Sequence, residues 1–185
     1  MNNKIICPKC GFTEFINDSN LTKLYCSNCC QTWEKSISER PLIHKTFMNI
    51  AKEIAIQSTC KKWKVGAVLA KDKRIISIGY NGVPSGQVHC NTYYSYEDMT
   101  EPHSEWSEMH EIHAEVNCIA YAARNSVSTE GTKMYITLSP CIHCAKLMVA
   151  AGIKQVFFAG TDRSDKRDDG IKFLEDNDIS CTRLN

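Results

Sequence analysis

The chain has 185 residues, of which 43% are hydrophobic and 23% are charged. This length suits one domain of ordinary size and one small additional unit. The formal net charge of +1 gives no electrostatic basis for broad binding to nucleic acid or to a membrane surface. No apolar run is long enough to span a bilayer, and the polar first residues do not form a signal peptide, so we expect a cytoplasmic protein.

The first part of the chain contains two Cys-x-x-Cys pairs, Cys7 with Cys10 and Cys26 with Cys29. Fifteen residues separate the two pairs, which is within the range for a four-cysteine structural zinc site. A module of this size cannot build a sufficient hydrophobic core, so bound metal would supply much of its stability. The spacing therefore predicts a zinc ribbon over residues 1–38, followed by a main domain over residues 39–185.

The function of this ribbon is open. Cys30 could replace Cys29 as a ligand, although the two-residue spacing favours Cys29. Residues 1–40 carry five basic and four acidic side chains, which does not indicate a nucleic-acid-binding surface. A role in docking a partner protein or in packing within an oligomer explains the ribbon at least as well as nucleic-acid binding does.

The main domain alternates between strand-like and helix-like apolar patterns. Two apolar runs joined by a polar turn predict an antiparallel hairpin, and later strands alternate with helices, which predicts parallel crossovers. The long segment 81–110 shows no regular pattern, and we expect it to be a functional loop. The whole pattern predicts an α/β fold, a three-layer α/β/α sandwich around a five-stranded mixed sheet. The predicted elements are helix 42–57, strands 65–70 and 75–80, helix 112–123, strand 133–138, helix 142–150, strand 154–159, helix 168–177 and strand 178–184.

The strongest chemical signal is His113-Ala114-Glu115, followed downstream by Pro140-Cys141-Ile142-His143-Cys144. A His and a Glu two residues apart, followed by Pro-Cys-x-x-Cys, is the signature of zinc-dependent nucleobase deaminases. His113, Cys141 and Cys144 can supply three zinc ligands and leave the fourth position for water. Glu115 is then the candidate general acid and base. A structural zinc site or a buried thiol pair is the competing interpretation.

Several further segments accompany this motif, and together they cover about residues 42–184. On them the chain resembles the dCMP deaminases of the cytidine deaminase-like superfamily, and the His-Ser-Glu-Trp stretch is most similar to phage members. The segments are Trp63-Lys64-Val65-Gly66-Ala67-Val68, Gly79-Tyr80-Asn81-Gly82, His103-Ser104-Glu105-Trp106, Glu111-Ile112-His113-Ala114-Glu115 and Thr137-Leu138-Ser139-Pro140-Cys141.

The resemblance implies hydrolysis of dCMP to dUMP and ammonia, which supplies the precursor of thymidylate. It also implies a homo-oligomer, commonly a hexamer, activated by dCTP and inhibited by dTTP, with Mg²⁺ accompanying the nucleotide effector. If the chain is virus-encoded, its compartment would be the host cytoplasm.

The resemblance also assigns roles to residues. It makes His113, Cys141 and Cys144 the catalytic zinc ligands and Glu115 the proton shuttle. It assigns substrate binding to Asn81, which would hold the deoxyribose, and to Ala114 and Ser139. It places the effector at Gly79, Tyr80, Asn81 and Gly82, and it implies a further zinc on Cys60, His103 and Glu111.

Three alternatives stay open at this point. The substrate could be a related nucleotide, such as dCTP or a 5-modified dCMP. It could be a base in a polynucleotide, with the ribbon holding RNA or DNA, although the lack of excess positive charge argues against this. The chain could also be a non-catalytic nucleotide sensor, but an intact Glu115 argues for an enzyme.

Overall fold

A computed structural model describes residues 9–11, 15–17, 23–26, 28–29, 32–34, 43–95, 100–160 and 168–184. The chain divides into two compact units, Met1–Arg40 and Pro41–Asn185. The first unit contains three antiparallel strands in the order β1-β2-β3, with β1 at Phe15–Asn17, β2 at Lys23–Cys26 and β3 at Thr32–Glu34. Cys7, a predicted zinc ligand, lies outside the described residues.

The second unit is built on a five-stranded mixed sheet in the order β5-β4-β6-β7-β8. Strand β4 pairs antiparallel with both β5 and β6, whereas β6, β7 and β8 run parallel. The predicted hairpin and the predicted parallel crossovers are therefore confirmed. The strands are β4 Gly66–Lys71, β5 Arg74–Tyr80, β6 Lys133–Leu138, β7 Gln155–Gly160 and β8 Ser180–Arg183.

Helices cover both faces of this sheet and form a three-layer α/β/α sandwich, as predicted. Helix α1 lies on one face, where Phe47 and Met48 pack against Val68 and Tyr135. Helices α4, α5 and α6 lie on the other face, where Cys118, Met148 and Leu174 join one continuous core. The helices are α1 Ile43–Ala55, α2 Cys90–Tyr93, α3 His103–His110, α4 Ala114–Arg124, α5 Ile142–Ala150 and α6 Asp168–Glu175.

Helix α4 lies close to the edge strand β5. A Cβ atom added at Gly79 would lie 2.5 Å from the carbonyl oxygen of Ala114 and 2.6 Å from the backbone nitrogen of Cys118. The Ser77 hydroxyl also donates a 2.6 Å hydrogen bond to the Cys118 carbonyl. Gly79 is therefore required for this close approach, which fixes the position of the first turn of α4.

The prediction of an irregular segment over residues 81–110 is wrong in part, because two helices lie within it. Helix α2 has only four residues, which is too short for any apolar period to appear. Helix α3 buries only Trp106, so its sequence lacks the apolar face that normally identifies a helix. Among the described residues, no helix has the length and apolar character needed to span a membrane.

Candidate active site and metal centres

Two helix starts bring the signature residues together. His113 is the N-cap residue of α4 and Cys141 is the N-cap residue of α5, and both have extended backbone conformations. His113 Nδ1 lies 3.3 Å from the sulfur of Cys144 and 3.6 Å from the sulfur of Cys141. A tetrahedral zinc with ordinary Zn–N and Zn–S bonds separates two such ligand atoms by about 3.6 Å. The spacing of the three donor atoms therefore fits one zinc ion.

The two thiols of this group differ in their acidity. The pKa of Cys141 is lowered to about 3, chiefly by a hydrogen bond with Cys144 and further by His113. The pKa of Cys144 is raised, because it holds the proton shared with Cys141, is buried, and lies near Glu115. One thiolate thus forms readily, and a cation would be needed to remove the second proton.

Glu115 lies in the first turn of α4, two residues after His113, with 4% of its surface exposed. It lines a cavity of about 50 Å³ together with Trp63, Asn81 and His113. A buried carboxylate at this point can exchange protons with a small molecule held beside the metal ligands. The His-x-Glu pattern predicted this arrangement, because both residues lie at the N-terminal end of the same helix.

A larger cavity of about 630 Å³ opens beside the smaller one. Its lining includes Cys141, Cys144, Lys62 and His103. Trp63 lines both cavities. The two cavities together provide room for a ligand much larger than a free base.

The remaining predicted substrate residues lie near the signature residues. Asn81 and Ala114 both line the smaller cavity. Ser139 is buried directly after β6, and its backbone N–H donates a 2.8 Å hydrogen bond to the Gly160 carbonyl. Three of the four residues predicted to bind an effector, Gly79, Tyr80 and Gly82, line a separate groove of about 530 Å³. The fourth, Asn81, lines the smaller cavity.

A second group of metal-binding side chains lies in the same unit. The Nε2 atom of His103 is 3.3 Å from the sulfur of Cys60 and 3.4 Å from the sulfur of Cys90. Burial, with smaller contributions from Glu111 and Cys90, raises the pKa of Cys60 to about 11. These distances also fit a tetrahedral zinc.

The predicted set did not include Cys90, which lies with Cys60 and His103 in this group. One carboxylate oxygen of Glu111, Oε2, accepts a 2.7 Å hydrogen bond from the Ser107 hydroxyl. The other, Oε1, is buried and has no hydrogen-bond partner among the residues that the structure describes. Sequence reasoning missed Cys90 because a single cysteine in a segment without a recognisable helix has no spacing to identify it. The sequence feature that could have identified Cys90 as a metal ligand is its position directly after His89, as a thiol with no other assigned role.

A third group, in the N-terminal unit, consists of Cys10, Cys26 and Cys29. The sulfur atoms of Cys10 and Cys26 are 3.6 Å apart. Three of the four predicted ribbon ligands are thus brought together.

A three-layer α/β/α fold with a His/Cys/Cys group at two helix starts, and a buried glutamate beside it, defines a zinc-dependent hydrolytic deaminase. The family model described as the cytidine and deoxycytidylate deaminase zinc-binding region matches residues 41–160, and the chain belongs to this family.

Named relatives agree with this assignment. The chain is 40% identical over 148 residues to a deoxycytidylate deaminase of Enterobacteria phage T2, covering 63% of this chain and 79% of the relative. It is 36% identical over 114 residues to a human deoxycytidylate deaminase, covering 60% of this chain and 61% of the relative. The crystal structure of a cyanophage S-TIM5 dCMP deaminase with dCMP and dUMP superposes with a TM-score of 0.65 at 32% identity. That match covers 78% of this chain and 98% of the cyanophage chain.

Proposed function

We propose that this chain hydrolyses dCMP to dUMP and ammonia, with the product entering thymidylate synthesis. The observation that carries the proposal is the His113, Cys141 and Cys144 group, with the Glu115 carboxylate lining the adjacent cavity. The similarity to dCMP deaminases of phages supports the choice of nucleotide.

In this reaction a water oxygen adds to C4 of the cytosine, the C4–N4 bond breaks, and ammonia leaves. Zinc held by His113, Cys141 and Cys144 would lower the pKa of a bound water towards neutrality. Glu115 takes a proton from the attacking water and returns it to the base, so that the amino group departs as ammonia. Burial of Glu115 keeps bulk water from competing for these protons.

The residues around the cavity orient the substrate in this proposal. Asn81 holds the deoxyribose in this proposal, because it is one of the residues that line the smaller cavity. Ala114 and Ser139 contact the base from the two segments that carry the metal ligands. The N-terminal turn of α4 has backbone N–H groups without intrahelical partners, which suit a base carbonyl.

We propose a second, structural zinc on Cys60, Cys90 and His103, with Glu111 as the fourth ligand. Two observations support Glu111 in this role. Its Oε1 atom is buried without a hydrogen-bond partner, and its charge acts on the pKa of Cys60. A buried carboxylate oxygen in this situation is costly unless a cation lies nearby.

We also propose that the chain has a zinc ribbon over residues 1–38 and a deaminase domain over residues 39–185. Cys7 would complete the ribbon site with Cys10, Cys26 and Cys29. The antiparallel strands β1 to β3 and the proximity of three sulfur atoms support this assignment.

The nucleotide effectors dCTP and dTTP are proposed to bind in the groove that contains Gly79, Tyr80 and Gly82. Two features of the groove support this. Tyr80 and Tyr121 are about half exposed and can stack on a base, and Arg124 can pair with a phosphate. Mg²⁺ would accompany the triphosphate.

We propose a homo-oligomer, commonly a hexamer in this family, that acts in the cytoplasm where free nucleotides occur. The edge strand β5 supports self-association, since Ile75, Ile78 and Tyr80 are each about 40% exposed along it. An exposed apolar edge strand is a surface that another chain can cover. Light scattering on purified protein, with and without dCTP, measures the number of chains.

The activity is tested by incubating zinc-loaded protein with dCMP and with dCTP, 5-methyl-dCMP, deoxycytidine and a cytosine-containing single strand. We expect ammonia release from dCMP at a kcat/KM at least about 100-fold above that for the single strand. Each assay is run alone and with dCTP or dTTP as effector. Absence of ammonia release from dCMP under all these conditions would refute the proposal.

A further inference from the structure

The segment that joins helix α1 to strand β4 forms part of the cavity wall. We call residues 60–65 the pocket strap. It has no regular secondary structure, yet it places Trp63 in the walls of both cavities and Val65 in the wall of the smaller one. A segment without regular secondary structure needs other partners for its backbone N–H and C=O groups. The residues that hydrogen-bond to the strap backbone therefore determine the position of Trp63.

Asn81 supplies three of these hydrogen bonds at the end of the strap nearest β4. Its backbone N–H donates to the Val65 carbonyl at 3.1 Å. Its side-chain oxygen accepts a bond from the Val65 N–H at 2.8 Å, and its side-chain nitrogen donates to the Trp63 carbonyl at 2.9 Å. Asn81 is only 6% exposed, so water competes little with these bonds. The carboxamide thus both accepts a hydrogen bond from the backbone of the strap and donates one to it, as a neighbouring β-strand would.

The other end of the strap is held by sulfur atoms of the Cys60–Cys90–His103 group. The Trp63 N–H donates to the sulfur of Cys60, and the Lys61 N–H donates to the sulfur of Cys90, each at 3.4 Å. Both ends of the strap are therefore anchored, and within the described part of the chain only Asn81 bonds to it through a side-chain amide.

We infer that Asn81 is a positioning residue for the substrate cavity, acting through the pocket strap to hold Trp63 in place. This inference rests on the proposed function only in treating the two cavities as the nucleotide site. It adds to the proposed deoxyribose contact, because the three bonds join Asn81 to backbone atoms of the protein itself. A residue that contacted only the sugar would have no effect on the strap in the free protein.

The test is hydrogen–deuterium exchange of the Val65 amide in the full-length, zinc-loaded, nucleotide-free protein. We compare Asn81→Ala, which removes two side-chain hydrogen bonds, with Asn125→Ala, a control that removes one amide-to-carbonyl bond, from Asn125 to the Tyr121 carbonyl, at an exposed site. We expect Val65 exchange to accelerate about tenfold or more in Asn81→Ala, since its acceptor is lost, and to stay within about twofold in the control. Unchanged Val65 exchange in Asn81→Ala would overturn the inference.

A second variant covers the case in which Asn81→Ala fails to fold. Asn81→Asp keeps an oxygen for the Val65 N–H but sets a carboxylate oxygen against the Trp63 carbonyl. In a Trp33→Phe background, acrylamide quenching reports mainly on Trp63, because Trp106 is only 2% exposed. We expect Asn81→Asp to increase this quenching, while the Val65 amide, which keeps its acceptor, exchanges close to the wild-type rate. No change in quenching would contradict the inference.

Kinetics separate this inference from the proposed function. If wild-type protein deaminates dCMP, loss of the strap bonds should raise KM by about tenfold and change kcat less, because the metal ligands and Glu115 are untouched. If wild-type protein has no activity, the proposed function fails, while the exchange and quenching results still decide the role of Asn81.

Discussion

Replacing Glu115 with glutamine is the sharpest test of the proposed chemistry, because the two side chains have nearly the same shape. Glu115 is 4% exposed, so a shorter side chain would leave a cavity that glutamine avoids. The Glu115 charge also contributes to the raised pKa of Cys144. Removing that charge should therefore ease, not hinder, formation of the second thiolate and binding of zinc. The substitution changes proton transfer and leaves the metal site intact.

General acid–base catalysis contributes about 10²–10⁴-fold to a rate, and here one carboxylate handles the protons of both bond formation and bond cleavage. We expect kcat for dCMP to fall by about 10⁴-fold, equivalent to about 5.4 kcal/mol of transition-state stabilisation. Ammonia release gives kcat, and elemental analysis gives the zinc content, which should equal that of the wild type. Glu53→Gln, at an exposed position of α1, is the control and should keep wild-type kinetics. Retention of more than about one-tenth of the wild-type kcat would refute the assigned role of Glu115.

Three further predictions concern metal content, packing and pH. Cys90→Ser should cost one zinc per chain and lower the thermal unfolding midpoint by about 5–10 °C, and an unchanged zinc content would exclude a site there. Gly79→Ala should destabilise the fold by about 1–3 kcal/mol in chemical denaturation, because its Cβ would overlap backbone of α4. Gly82→Ala should be nearly neutral, because its added Cβ meets no atom of the described residues within 4 Å, and equal effects would contradict the packing argument. Burial raises the pKa of Cys118 from 9.0 to about 11. The protonated thiol therefore stabilises the folded state fully below pH 9, and this stabilisation is lost as pH rises through 11. Wild type should therefore lose roughly 3 kcal/mol more than Cys118→Ala across this range, and parallel pH profiles would contradict this.

Much of the fold was predictable because its signals are local. The apolar runs of β6 and the helical spacing of α5 gave element bounds that match the structure residue for residue. Turn chemistry identified the β4–β5 hairpin, and alternation of strands with helices identified the parallel half of the sheet. Helix α3 was missed because it is mostly solvent-facing, and its position depends on one buried residue, Trp106, packed against Cys60 and Cys90.

The sequence by itself determined the His113, Cys141 and Cys144 group, since each half of the signature is short and lies at a helix start. Local backbone geometry then places His113 beside Glu115, and Cys141 beside Cys144, before any tertiary contact is known. The tertiary structure decided what no spacing could encode. Cys60, Cys90 and His103 come from three separated segments, so only folding reveals that Cys90 shares their site and that Glu111 turns towards Ser107. The three bonds of Asn81 to the pocket strap likewise depend on how β5 ends beside the start of β4, a distance that chain order does not specify.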